Sequence, residues 1–566
     1  MRSRLHAAFI SWRFYLVVSF ILLLVVGLVL RMIDLTVLQK NFLLSQGNAR
    51  AMRVENSPAF RGMITDRNGY PLAVSTSVFS IWANPEEAVK DYSKLKSVSQ
   101  LLGMKPKTIK TLIQKNADKN REFVYLKRGV PPEIAQKIKS LKMSGVYLQQ
   151  DYRRYYPEGE VDAHVIGFTN VDDKGQEGLE LIYNDWLSGK PGKKLVVKDR
   201  LGRDISELKT IEEQKPGNDL VLSINRRIQY LAYRELLDGV QKNKAKSGSV
   251  VVLDVKTGEV LAMVNQPSFN PNNHSSQRSE DYRNRAVTDI FEPGSTMKAF
   301  SVMSALDSGQ YKPETVINTY PGWLRVGHNI VRDEHSKGPM TVTQILRISS
   351  NVGVTKMILT LPPDQLWGLL HRVGFGETTG IGFPGEQTGR LVKRNPWSPF
   401  ALATLSFGYG MSVTALQLAQ AYSIIANYGV KIPVSLLRLD KPPVGKRVID
   451  EPVSKQMLGL LETVVQKEGT GVSANILGFR VAGKTGTARM IGPHGYLKHN
   501  HEASFVGIAP ASHPRLVVAV VIHDPQGKLY YGGDVAGPVF KNIMEGSLRI
   551  LNIPPDDPQA LEKKAS

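Results

Sequence analysis

The chain has 566 residues, three to four times the ~150 of a typical domain, so several folded parts are expected rather than one core. The 72 Lys and Arg against 51 Asp and Glu give a formal charge of +21, which favours an anionic partner: nucleic acid, a lipid surface or an acidic polymer. Cysteine is absent, which excludes disulfides, thiol catalysis, iron–sulfur clusters and Cys-ligated zinc; 42% hydrophobic and 22% charged content excludes a disordered or fibrous chain.

Residues 14–30, between Arg13 and Arg31, carry no charge and are rich in Leu, Val and Ile. At 1.5 Å per residue the run spans roughly 26 Å, and its flanks complete a ~30 Å bilayer core. Trp12 and Tyr15 stand where interfacial aromatics belong. The A-x-A triplet Ala49-Arg50-Ala51 is too far downstream for signal-peptide cleavage, so the segment reads as an uncleaved anchor of a single-pass protein. Arg2, Arg4 and Arg13 precede it while Arg31, Lys40 and Arg50 follow it, which leaves the orientation open.

Residues 32–50 read as a helix leaving the membrane. Residues 61–73 read as a hairpin with Asn68-Gly69 as a type I′ turn. A small α/β insertion with Lys-rich, solvated faces is expected at 86–144, and an irregular docking segment, rather than core, at 153–180. Pro216-Gly217-Asn218-Asp219 is the best boundary signal. Beyond it come a strand at 219–224, a helix at 226–237 and a β-branched hairpin across Lys256-Thr257-Gly258. Helical patterns fill the middle, notably 413–426, and strands recur at 479–488, 503–508 and 516–522. Strands at both ends with helices between predict an α+β fold, an antiparallel sheet covered by helices. The tail from Pro554 is Pro/Asp/Lys-rich and is expected to be flexible.

The sharpest chemical feature is Glu292-Pro293-Gly294-Ser295-Thr296-Met297-Lys298. The Pro-Gly turn places Ser295 at a helix N-terminus, and a lysine three residues on shares its face. A free serine is a poor nucleophile; a desolvated lysine of lowered pKa supplies the base it needs. Ser-x-x-Lys also occurs at Ser93–Lys96 and Ser206–Lys209, where Lys-rich surface explains it. Two further elements follow in order: Ser349-Ser350-Asn351, before helix-compatible sequence, and Lys484-Thr485-Gly486-Thr487, within an apparent strand. Each has a decoy, Ser223-Ile224-Asn225 and Lys256-Thr257-Gly258. Only the set beginning at Ser295 has all three in order with spacings of 54 and 135 residues.

This triplet resembles the S-x-x-K, S-x-N, K-T-G signature of the penicillin-binding protein and serine β-lactamase superfamily. Residues 61–73, Arg153-Arg154-Tyr155-Tyr156-Pro157, Ala163-His164-Val165-Ile166-Gly167 and Gly175-Gln176-Glu177-Gly178-Leu179-Glu180 resemble the N-terminal pedestal motifs of class B penicillin-binding proteins. So do Asn284-Arg285-Ala286 and Ala536-Gly537-Pro538-Val539-Phe540. The resemblance covers most of 50–545 and points to the division-specific D,D-transpeptidases of Gram-negative bacteria. It implies a cytoplasmic tail at 1–13, a transmembrane signal anchor at 14–31, an elongated dimerisation-type pedestal at 50–215, a transpeptidase domain at 216–553 and a tail at 554–566.

The resemblance also implies a substrate, a peptidoglycan stem peptide ending in D-Ala-D-Ala, attacked by Ser295 with Lys298 as base. Ser349 would relay a proton among Lys298, Lys484 and the leaving amine, and Asn351 would hold the acyl-side amide and Lys298. Lys484, Thr485 and Thr487, with Gly486 between them, would bind the terminal carboxylate. The N–H groups of Ser295 and Thr487 would form the oxyanion hole, and Tyr409 would line the cleft. Which group first takes the proton stays open. β-Lactams, as mimics of D-Ala-D-Ala, would acylate Ser295. A substrate outside the cytoplasmic membrane places 1–13 inside and 32–566 in the periplasm, at the division septum. The implied partners are an FtsW-type lipid II polymerase and other divisome membrane proteins, with no nucleic acid and no cofactor. His494, His499, His501 and Glu502 cluster, but read as a loop with exposed histidines rather than as a metal site.

The rivals are an elongation-type class B transpeptidase, a D,D-carboxypeptidase using water as acceptor, and, outside enzymes, a β-lactam sensor or divisome scaffold. No E-x-x-L-N pentad supports a β-lactamase, and the lone Glu-Asp pair, Glu280-Asp281, does not support a glycosyltransferase.

Overall fold

The computed structural model describes residues 3–198, 204–273, 278–334, 337–492 and 495–560. A helix of 31 residues, Ser3–Ile33, carries the apolar run; a widened turn, Asp34–Leu38, and a second helix, Lys40–Ala51, follow. Leu22, Leu23 and Leu28 are all more than 60% exposed, and none of the apolar window is buried against the rest of the protein. A stripe this long and apolar, with no protein covering it, suits a membrane anchor.

The chain forms two compact units that interleave in sequence. The first comprises Met1–Phe60, Ser77–Tyr152 and Gly189–Pro216. Its insertion is α/β as expected: helices Leu95–Leu102, Pro106–Ala117 and Pro132–Leu141 bury Val98, Leu102, Ile109, Ile113 and Ile138 with Ile81. The lysines of 105–115 and 137–142 are exposed, so these runs are solvated faces.

The second unit comprises Arg61–Thr76, Arg153–Ser188 and Gly217–Ser566. Its turn at Asn68-Gly69 is not type I′. Gly69 N–H bonds to the Asp66 carbonyl at 3.1 Å, and of the turn residues only Gly69 has positive φ, at +87°. The Asp66 carboxylate accepts from the N–H groups of Asn68 and Tyr70, and this Asx geometry selects an ordinary turn followed by a left-handed glycine. Segment 153–180 contributes to the core, with residues 162–169 and 178–180 buried, and is not an irregular docking strip. Glu180 is fully buried, with Arg61 Nε and Arg154 Nε each 2.6 Å from one of its carboxylate oxygens, and Tyr156, Val165, Ile166 and Leu179 of the same segment belong to the hydrophobic core. Polar composition misled because charged side chains can be buried when they are paired with one another. The strand expected at 219–224 shrinks to Leu220–Val221.

The main sheet has strands β1 (Ser247–Asp254), β2 (Val260–Gln266), β3 (Ala482–Gly492), β4 (Gly495–Ala509) and β5 (Leu516–His523). Their order is β2-β1-β5-β4-β3, all antiparallel, with β3 at one edge. Helices α1 (Arg226–Lys242) and α6 (Gly532–Ile550) cover one face; α2 (Lys298–Asp307) and α5 (Ala415–Ala426) belong to the layer on the other. Along β1, Val250 and Val252 join the first core while Val251 and Leu253 join the second. Burial on both faces is why the strand reads as an unbroken β-branched run.

The histidine-bearing stretch is also a strand: β4 begins at Gly495, so His499, His501 and Glu502 lie in it, and His494 lies outside the described residues. His501 stacks on Tyr530 with centroids 4.4 Å apart. The stretch just after Pro554, expected to be flexible, is held in place. Asp556 accepts from Arg480 N–H at 2.7 Å and from the Ser512 hydroxyl at 2.7 Å, which holds that stretch to the body.

Candidate active site

Ser295 sits in a 3₁₀ turn, Gly294–Met297, that opens directly into α2 at Lys298. The approach is tight. A Cβ on Gly408, whose φ is +82°, would lie 2.1 Å from the Gly294 carbonyl oxygen, so only glycine admits this crossing. Gly294 N–H bonds to the Gly408 carbonyl at 3.2 Å, and Phe291 pairs through its backbone with Val413. On the other side a Cβ at Gly486 would meet the Pro293 carbonyl at 3.0 Å and Thr296 Cγ2 at 2.9 Å, so the third motif is glycine where the first leans on it.

The second motif lies between helices α3 (Val342–Arg347) and α4 (Asn351–Leu359). Ser350 is the N-cap of α4, accepting from Gly353 N–H at 2.9 Å. Its hydroxyl is committed, so Ser349 is the serine that faces the lysines. Ser349 holds φ at +65°, a conformation L-residues avoid and one that clusters at functional sites. Lys298 Nζ donates to the Ser349 carbonyl at 2.5 Å and lies 3.0 Å from its Oγ; Lys484 Nζ lies 3.0 Å from the same Oγ. Residues 51 and 135 positions apart thus meet at one atom.

Both lysines are buried, 1% and 0% exposed. Burial pulls Lys298 from 10.5 down to about 7, against the opposing pull of Asp333 and Glu334. Lys484 is pushed well below its ordinary value by burial and then by the charge of Lys298. Two ammonium groups cannot comfortably share one hydroxyl in a dry pocket, so the site favours a neutral amine at physiological pH. The Ser295 hydroxyl is partly buried and makes no hydrogen bond among the described residues. A serine with an unengaged hydroxyl, a buried amine three residues on and a second hydroxyl held between two amines are the parts that acyl transfer calls for.

The remaining expected residues are near, with differences. Thr485 Oγ1 lies 3.3 Å from Lys484 Nζ and 2.8 Å from Thr470 Oγ1. Thr487 is on the edge strand β3, and its hydroxyl accepts from Gly532 N–H at 3.0 Å. Tyr409 accepts from Arg489 N–H at 3.3 Å and sets its ring edge against Tyr496, 5.5 Å between centroids. Asn351 donates to the Arg332 carbonyl at 2.9 Å, and among the described residues no hydrogen bond joins it to Lys298. The decoys are structural: Asn225 caps α1, the Ser223 hydroxyl donates to the Val260 carbonyl, and Lys256-Thr257-Gly258 turns around the Asp254 carboxylate.

Sequence reasoning missed Asp333. Its carboxylate accepts from the Ser350 hydroxyl at 2.7 Å and from Val352 N–H at 2.9 Å, which pins the start of α4 and with it Ser349. Nothing local marks it, because its partners are 17 and 19 residues away. It missed Glu292 too, a buried carboxylate that accepts from Gly410 N–H at 2.8 Å and from the Tyr496 hydroxyl at 3.1 Å.

Fold and site define a serine acyltransferase of the penicillin-binding type. The penicillin binding protein transpeptidase domain matches residues 248–545, and the penicillin-binding protein dimerisation domain matches 56–222. The chain is 45% identical over 560 residues to the peptidoglycan D,D-transpeptidase FtsI of Escherichia coli (strain K12), covering 98% of this chain and 94% of that one. The transpeptidase domain of penicillin-binding protein 3 from Burkholderia pseudomallei superposes with a TM-score of 0.55 at 40% identity, over 59% of this chain and 97% of that chain. Penicillin-binding protein 3 of Mycobacterium tuberculosis, solved in complex with aztreonam, gives 0.69 at 27% identity, over 88% and 98%. The chain belongs to the class B penicillin-binding proteins, as a peptidoglycan D,D-transpeptidase of the FtsI type.

Proposed function

We propose that Ser295 is the nucleophile of this transpeptidase, and that Lys298, Ser349 and Lys484 form its proton relay. The reading is carried by one observation: a single hydroxyl, Ser349 Oγ, lies 3.0 Å from both buried amines. Lys298, whose pKa is lowered to about 7 so that a free-base fraction is present at neutral pH, takes the Ser295 proton as Oγ attacks the penultimate D-Ala carbonyl of a stem peptide. The N–H groups of Ser295 and Thr487 stabilise the oxyanion. The proton passes through Ser349 Oγ, which can donate and accept at once, to the departing D-Ala nitrogen as the peptide bond breaks. An amine of a second stem peptide then attacks the acyl-enzyme, gives up its proton to the relay and leaves a cross-link. Lys484 and Thr485 take the substrate carboxylate, and Asn351 and Tyr409 border the peptide. β-Lactams acylate the same Ser295.

The relationship to FtsI supports work at the division septum, with 1–13 cytoplasmic, 32–566 periplasmic and a lipid II polymerase of the FtsW type as partner. Fluorescent penicillin tests the core of this reading: wild type is expected to take a stable label and Ser295→Ala none. An unlabelled wild type would overturn it. Product analysis with lipid II and a purified polymerase then distinguishes cross-linking from carboxypeptidase trimming, and imaging distinguishes septum from sidewall.

A further inference from the structure

Glu292 stands three residues before Ser295 and is 8% exposed, yet neither the proton relay nor the carboxylate site uses it. Its Oε1 accepts from Gly410 N–H at 2.8 Å and from the Tyr496 hydroxyl at 3.1 Å, so one oxygen joins three segments remote in sequence. Its Oε2 is buried with no hydrogen-bond partner among the described residues. Burial of a carboxyl group costs free energy, and here it is offset through one oxygen alone.

The two donors lead to the two elements that carry the oxyanion N–H groups. Gly410 belongs to the loop whose Gly408 carbonyl already takes Gly294 N–H at 3.2 Å. Glu292 accepts a bond from the same loop, so the stretch before Ser295 is tied to it twice. Tyr496 lies in β4 and pairs with Ile491 of the edge strand β3. From the loop, Tyr409 sets its ring edge on Tyr496 and accepts from Arg489 N–H, two residues beyond Thr487 in β3. The strand runs close by: a Cβ on Gly294 would lie 3.1 Å from the Thr487 carbonyl oxygen. Stretch 292–294 is thus linked to β3 by two routes, one through Gly410 and Tyr409 and one through Tyr496, and both leave from Oε1 of Glu292.

We propose that Glu292 is a positioning residue for acylation, whose Oε1 sets the spacing between the N–H groups of Ser295 and Thr487. The role rests on the reading of those two groups as the oxyanion hole. Glu292 itself touches no reacting atom. An oxyanion hole works only when both donors reach one point, and a misplacement of about 1 Å can cost roughly 10²-fold. The negative charge develops only as the acyl bond forms. The spacing therefore acts on the acylation rate constant and not on the affinity of the first complex.

The test uses full-length protein in detergent and times labelling by graded concentrations of fluorescent penicillin, which separates first-complex affinity from the acylation rate constant. Glu292→Ala is expected to lower the rate constant roughly ten- to a hundredfold and to leave the affinity within about threefold. Glu292→Gln keeps an oxygen able to accept both bonds and should stay within about fivefold of wild type. Tyr496→Phe should slow wild type by about threefold and Glu292→Ala no further, because the two act through one bond. A boronic acid that forms a tetrahedral adduct on Ser295 should bind Glu292→Ala more weakly by the factor that the rate constant loses. A purely structural residue would lower Tm and the fraction of protein that labels, with the rate constant of the remainder unmoved. That result, a loss confined to affinity, or full additivity with Tyr496→Phe would overturn the proposal. Should Glu292→Ala fail to fold, Tyr496→Phe decides the matter, and an unchanged rate constant there overturns it. Label retained by Ser295→Ala would instead overturn the nucleophile assignment on which the role is built.

Discussion

Lys298 and Lys484 share a single hydrogen-bonding partner: each side-chain nitrogen lies 3.0 Å from Oγ of Ser349. Both amines are buried and both are held below their ordinary pKa, so the pair favours carrying fewer than two protons at neutral pH.

Acylation should therefore follow the free base of Lys298. The rate of penicillin labelling is expected to fall as pH drops through about 7. Removal of the base in Lys298→Met should cost roughly 10²–10⁴-fold. Labelling rates from pH 5 to 9 check both; a flat profile in wild type removes Lys298 from the role of base.

The same shift has a stability cost with a definite sign. Lys298 binds its proton at about 7 in the folded protein and near 10.5 in the unfolded chain. Below 10.5 the unfolded state holds more protons, so stability falls as pH drops to about 7 and levels off beneath it. The difference of about 3.5 pH units corresponds to about 5 kcal/mol at full desolvation. Lys298→Met should accordingly raise Tm at pH 7 while slowing acylation, with an advantage that shrinks as pH approaches 10. Thermal melts across that range read it directly.

Asp333 holds Ser350 and Val352 in place and also pulls the pKa of Lys298 upward. Asp333→Asn removes a charged hydrogen-bond acceptor, about 1.5–3 kcal/mol, so labelling should slow tenfold or more. Its signature is the pH profile, whose acid limb should move to lower pH. Loss of rate with an unmoved limb would assign Asp333 a purely structural part.

The crossing of Gly294 and Gly408 should tolerate no side chain. Gly408→Ala places a Cβ 2.1 Å from a carbonyl oxygen at φ +82°, and penicillin labelling should be lost. Gly309→Ala is the control, since its φ is +71° with nothing within 4 Å. It should label as wild type.

Glu180 is the carboxylate that Arg61 and Arg154 share in the core of the second unit. Glu180→Ala leaves two buried guanidinium groups uncompensated, and a loss of about 3–5 kcal/mol is expected in denaturant titration. Exposed pairs such as Lys455–Glu451 should contribute a small fraction of that.

The sequence by itself determined what short-range patterning and composition can carry. The uncharged run at 14–30, the β-branched strands and the order of the three motifs each rest on neighbouring residues, or on a resemblance that quotes them. The S-x-N resemblance picked Ser349 over Ser350 without a physical reason, which lies in Asp333 capturing the second hydroxyl and in a left-handed backbone at the first. Sequence reasoning misjudged 153–180, whose arginine and glutamate look solvated until their partners, more than 100 residues away for Arg61, are in place. The +21 charge pointed at first towards nucleic acid, and the resemblance carried by the three motifs turned it towards the cell wall. Tertiary structure decided the protonation of the lysines, because a pKa is set by what surrounds an amine in space, and desolvation has no signature in the order of residues.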